Sequence, residues 1–67
     1  MSKQIRNHFS YDEILQLVTP KSTVLDLGCG DGELLFRLHS EKQVSGRGVD
    51  IEESMIAECI SKGISVF

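Results

Sequence analysis

Three glycines at alternate positions, set among acids, are the residues of this chain best suited to chemistry. They lie in Val24-Leu25-Asp26-Leu27-Gly28-Cys29-Gly30-Asp31-Gly32, where a β-prone run gives way to a helical one. Without a Cβ in the way, the backbone of such a turn can approach a ligand closely. In a doubly wound sheet, ligands bind beyond the carboxyl ends of the strands, where this turn would stand. Asp50 follows Gly30 by 20 residues, and an acid at that spacing can accept hydrogen bonds from ribose hydroxyls. The combination points to a nucleotide or nucleoside ligand. The plainer reading of the same residues is a structural turn, with Asp50 a solvated acid at a strand end.

The choice of ligand rests on charge more than on pattern. A dinucleotide fingerprint reads G-x-G-x-x-G. Here the third glycine, Gly32, comes one residue early, and Glu33 stands in its place. A phosphate loop of the Walker type needs Gly-Lys-Ser/Thr, and this turn has no lysine. Between Lys21 and Arg37 there is no basic residue, whereas Asp26, Asp31 and Glu33 are all acidic. A pyrophosphate would meet carboxylates with no nearby side-chain cation in sequence. S-adenosylmethionine carries a sulfonium, an ammonium and one carboxylate, with no phosphate, and suits an acidic glycine turn better. An NAD-dependent dehydrogenase is the disfavoured alternative.

The remaining reactive residue types have structural readings beside their chemical ones. Cys29 would sit near a helix N-terminus, which lowers a thiol pKa. Yet no histidine is close in sequence and the neighbouring acids oppose ionisation, so a small residue fitted between two glycines is the better account. Cys59 lies on an apolar helical stripe and reads as core, as do Met55 and Phe36. His8 falls in the polar start of the chain and His39 near a helix end, neither with metal-ligand spacing. Phe9 and Tyr11 would pack the first helix or close over the cofactor.

The elements that must position these residues alternate. Ser10 and Glu13 fit a capping box for a helix reaching Val18, with apolar positions 11, 14, 15 and 18 on one face. Thr19-Pro20 ends it. Thr23–Leu27 reads as a strand covered on both faces, Glu33–His39 as a helix, and residues 40–46 as a loop. Arg47–Ile51 reads as a second strand. A helix from Glu52 to Lys62 buries Met55, Ile56, Cys59 and Ile60, and Gly63 caps it. Ile64–Phe67 opens a third strand. This α-β-α-β-α-β order predicts an α/β fold, a Rossmann-like parallel sheet with helical crossovers.

Composition sets the outer limits. The chain has 67 residues, a net charge of −3 and two cysteines. At this length one domain at most is expected, and domains of this size bury only about 60% of their unfolded surface. No apolar run approaches the roughly 18 residues of a membrane span, and the start lacks a secretory core. Mild acidity argues against nucleic acid. Two distant cysteines argue against a zinc site or a disulfide scaffold. A reduced, cytoplasmic protein is expected.

Val24-Leu25-Asp26-Leu27-Gly28-Cys29-Gly30-Asp31-Gly32 resembles motif I of class I S-adenosylmethionine-dependent methyltransferases, and Gly48-Val49-Asp50-Ile51 resembles their second-strand motif. Within that superfamily, Asp26 to Leu35 and Cys59 to Val66 are most similar to the methionine-biosynthesis MetW group. The resemblance implies that Gly28, Cys29, Gly30 and Gly32 carry the turn past the methionine part of the cofactor. It implies that Asp26 faces the ammonium directly or through water, that Asp50 binds the ribose, and that Ile51 packs against the adenine. It implies methyl transfer to an acceptor, by default a small molecule. Alternatively, it implies a partner or regulatory protein of an acyltransferase acting on homoserine. In the family, acceptor recognition and catalytic residues come mainly from later strands and inserted loops. Residues 9–67, after a mobile lead-in at 1–8, are therefore expected to form the N-terminal part of one methyltransferase domain. Such a part is expected to be inactive alone and to share apolar surface with another copy.

Overall fold

A computed structural model of the chain describes residues 10–67. The expectations for residues 1–9, including His8 and Phe9, lie outside the described residues. Six elements follow in order: α1 (Tyr11–Leu17), β1 (Thr23–Leu27), α2 (Glu33–Lys42), β2 (Ser45–Val49), α3 (Glu53–Ser61) and β3 (Ser65–Val66). The strands form one parallel sheet in the order β1-β2-β3. Thr23 pairs with Ser45 and Leu27 with Val49, while Gly48 pairs with Val66. This is the Rossmann-like arrangement that the alternation predicts.

Local chemistry accounts for the element ends. Ser10 and Glu13 form the capping box of α1: the Ser10 hydroxyl accepts from Glu13 N at 3.2 Å and Glu13 Oε1 from Ser10 N at 3.0 Å. At the other end of α1, Lys42 Nζ donates to Val18 O at 2.7 Å. Helix α2 runs three residues past His39, through what the sequence suggests is loop. Arg37 Nε pairs with Glu41 one turn on, at 3.1 Å, which supports a polar helical end. Gln43 then stops the helix in the left-handed region, at φ 54°.

Strand β2 spans Ser45–Val49 rather than Arg47–Ile51, a shift of two residues at each end. Its far end is fixed by the turn after β1, because the amides of Gly28 and Cys29 both donate to Val49 O, at 2.7 and 3.0 Å. Its near end follows Val44, which is buried against α2. The glycines inside β2 answer to their neighbours, Gly46 to α2 and Gly48 chiefly to Cys29 of the turn. A Cβ built on Gly46 would stand 2.7 Å from Leu35 Cδ2, so a side chain there has no room.

The core is formed by Ile14, Leu15, Cys29, Leu34, Leu35, Leu38, Val44 and Cys59, with Tyr11, Val18, Val24, Ile64 and Val66 packed around it. Leu35 and Leu38 are each 1% exposed, and burial of a leucine contributes about 1.5–3 kcal/mol. All of this lies on one side of the sheet. The two crossovers step in the same direction across the sheet, and crossovers of one hand place α2 and α3 on the same face. Among the described residues nothing covers the other face, contrary to the expectation of cover on both. Leu25, Leu27 and Phe67 are exposed on or beside the strands, and the Arg47 guanidinium lies 5.7 Å from the centroid of the Phe67 ring. Phe36 and Ile60 are also exposed rather than core. No helix among the described residues is long and apolar enough to cross a membrane.

Candidate functional site

The residues singled out in the sequence converge at the carboxyl ends of β1 and β2. After Leu27 the chain makes a turn in which Gly28, Gly30 and Gly32 all have positive φ, at 75°, 60° and 84°. Gly32 also serves as the N-cap of α2. A Cβ on Gly32 would meet Cys59 Sγ at 2.9 Å, so both its backbone conformation and its surroundings require glycine.

Asp50 is the residue that ties the two strand ends together. It stands one position past β2, and its two carboxylate oxygens are aimed at different segments. Oδ2 accepts from Gly30 N at 2.9 Å, across the turn. Oδ1 accepts from Glu52 N at 2.9 Å, an Asx-type turn that leads into α3. Beside it, Ile51 is 96% exposed, an apolar side chain standing in solvent at the edge of the site.

Asp26 lies beneath the turn and not on its surface, with an exposure of 1%. It borders a cavity of about 220 Å³ between α1, β1 and α2, whose other walls include Ile14, Val24, Leu34 and Leu38. Cys29 likewise faces inward. Its thiol is 1% exposed and lies 3.7 Å from the thiol of Cys59. Burial and the Cys59 neighbour push the Cys29 thiol up from 9.0 to about 12, with Asp26 and Asp50 adding to the rise. It is a neutral thiol at physiological pH, which fits the structural account of Cys29 and not a nucleophile.

The turn's donors are turned toward the protein. Gly28 N and Cys29 N bond to Val49 O, Gly30 N to Asp50, and Gly32 N to Cys29 O at 3.2 Å. Glu33 N, at the start of α2, donates to Asp31 Oδ1 at 3.1 Å. A carboxylate of the chain thus occupies the helix end where phosphate-binding turns receive their anion. Charge reasoning along the sequence missed one cation here. Lys62, at the end of α3, donates through Nζ to Asp31 O at 2.8 Å and stands 3.6 Å from Asp31 Oδ2. Their separation of 31 positions hides the contact from any local pattern.

Comparison with known proteins places these features in a family. A family model described as methionine biosynthesis protein MetW matches residues 6–67. The X-ray structure of YjhP from E. coli, a structural-genomics target, has the same fold at a TM-score of 0.76. The two are 21% identical, over 85% of this chain and 27% of that one. The chain thus spans about a quarter of the length of YjhP. None of the curated proteins matches it.

Proposed function

The chain belongs to the family of methionine biosynthesis protein MetW, and on that premise we propose that the surface between the glycine turn and Asp50 binds S-adenosylmethionine for methyl transfer to a small-molecule acceptor. One observation carries the choice of ligand: the amides of Gly28, Cys29, Gly30 and Gly32 are bonded within the protein, and Asp31 fills the start of α2. A pyrophosphate needs such amides free; Lys62 offsets the charge of Asp31, but the carboxylate of Asp50 beside the turn favours a ligand with cationic sulfonium and ammonium groups.

The residues present fit such a ligand. Gly28 and Gly30, half-buried, leave a surface without Cβ atoms past which the methionine portion can lie, whereas Gly32 is buried and turns its open side to Cys59. Asp50 holds the turn at a fixed distance from the β2 end, and its carboxylate stands where the resemblance puts the ribose hydroxyls. Ile51 offers an exposed apolar side chain for the adenine ring. Asp26 lies buried beneath the turn, at the end of β1. When bound, the cofactor supplies an electrophilic methyl group, and the protein's part is proximity and orientation. The acceptor site is assigned to segments beyond these residues.

The family's description names methionine biosynthesis, and a second reading follows the resemblance to that group, in which the cofactor fold serves a partner or regulatory protein for homoserine acylation. Isothermal titration separates these readings. Heat on adding S-adenosylhomocysteine, and none with NADH, is the expected result. Binding of NADH alone overturns the proposal. Binding of S-adenosylhomocysteine without methyl transfer to any acceptor, together with capture of an acyltransferase, selects the second reading.

A further inference from the structure

We propose that Cys29 and Cys59 form a dithiol–disulfide pair, which a two-electron oxidant of the peroxide class closes into a bond tying the glycine turn to α3. Both cysteines are free and buried. Their sulfurs lie 3.7 Å apart, in contact, although the residues are 30 positions apart in sequence. They also share an acceptor: Cys59 Sγ donates to Gly30 O at 3.2 Å, and Cys29 Sγ lies 3.7 Å from the same oxygen. The pair therefore sits against the backbone of the turn that defines the candidate site. Closing from contact to a disulfide of about 2.05 Å requires side-chain rotation and a small approach of α3.

In the closed fold Cys29 is inert, since the thiolate is the reactive form and burial suppresses it, and Cys59, wholly buried, is out of reach of an oxidant. The route to oxidation is opening of α3. Cys59 is the one buried residue of that helix, and elements held by few buried apolar contacts belong to the low-stability end of a fold. Once α3 swings away, both thiols regain ordinary reactivity. Peroxide oxidises one sulfur: its O–O bond breaks, an S–O bond forms, and one water leaves. When α3 closes again, the second thiol attacks that sulfenic acid. The S–S bond forms, the S–O bond breaks, and a second water carries off the oxygen and the thiol proton. The disulfide no longer offers Gly30 O its Cys59 donor, and it prevents α3 from leaving the turn.

The test treats the 67-residue chain with hydrogen peroxide, quenches it with iodoacetamide, and reads the intact mass. The expected product is a monomer that has lost two hydrogens and takes up no iodoacetamide. Hydrogen exchange at the amides of residues 29–32 should then slow by ~10-fold or more, because local opening is blocked. Cys59→Ser should yield no such monomer. Independent oxidation of the two thiols to sulfinic acids overturns the proposal, as does a disulfide between molecules. An internal disulfide that leaves exchange in the turn unchanged removes the tie. None of these readouts depends on cofactor binding, so a failure of the methyltransferase reading would be seen separately.

Discussion

The carboxylate of Asp50 accepts the backbone N–H of Gly30 at 2.9 Å, joining two strand ends that are 20 residues apart in sequence. The same carboxylate shapes the entry to α3 through Glu52 N. Asp50 thus fixes the glycine turn whether or not a ligand is present, and a ligand would meet a surface already in place.

Replacement of Asp50 should therefore lower both stability and affinity. Asp50→Ala leaves the Gly30 and Glu52 amides without their acceptor, and an unmade hydrogen bond of this kind costs about 1–3 kcal/mol. Urea denaturation should show the loss of stability, and titration with S-adenosylhomocysteine a loss of affinity. Asp50→Asn keeps one oxygen and should fall between alanine and the natural residue in both measurements.

Gly32 and Gly63 provide a controlled comparison of strain against crowding. Both have positive φ, 84° and 77°, but a Cβ at Gly32 would meet Cys59 Sγ at 2.9 Å whereas at Gly63 there is nothing within 4 Å. Gly63→Ala should cost about 1–2 kcal/mol, the usual penalty of the left-handed region. Gly32→Ala should cost a further ~1–3 kcal/mol from overpacking. Equal costs from thermal melts would show that the turn yields easily.

The buried thiol gives the fold a sign of pH dependence. Cys29 has its folded-state pKa raised, to about 12 from an ordinary 9.0. The unfolded chain releases this proton first as pH rises, so its contribution to stability is whole below pH 9 and declines between pH 9 and 12. The measurement is a difference between two proteins. Natural protein should lose more stability over that interval than Cys29→Ala does, each referred to its own value at pH 8.

The first helix hangs on its cap. Ser10→Ala removes the hydroxyl that accepts from Glu13 N and should destabilise α1 by about 0.5–2 kcal/mol. Hydrogen exchange should quicken in residues 11–17 and change little in β2, because the cap acts on α1 alone.

What could be read from the sequence was whatever local chemistry fixes. The capping box, the limits of β1, the glycine turn and the spacing to Asp50 are all short-range patterns, and each stands where those patterns placed it. Strand β2 was displaced because its sequence, Ser-Gly-Arg-Gly-Val, has little apolar character to mark its start. Gly46 admits Leu35 and Gly48 chiefly Cys29, both from other segments, a reason that spacing cannot carry. Lys62 at Asp31 and Cys59 at Cys29 were hidden for the same cause, since each pair meets only after the third helix packs. Ile60 follows a helical stripe in sequence and Phe36 reads as core by its type, but both stand in solvent, since α2 and α3 bury only narrow faces against a small sheet.

The meeting of Leu35 with Gly46 has an evolutionary consequence. With 2.7 Å between Leu35 Cδ2 and the place of a Gly46 Cβ, the two positions draw on one parcel of space. A lineage can enlarge position 46 only after position 35 has shrunk, and the intermediate with an alanine at 35 must survive a cavity first. Paired substitutions here should therefore be conditional on their order, with leucine-to-alanine the permissive step and any larger residue at 46 the one that follows it.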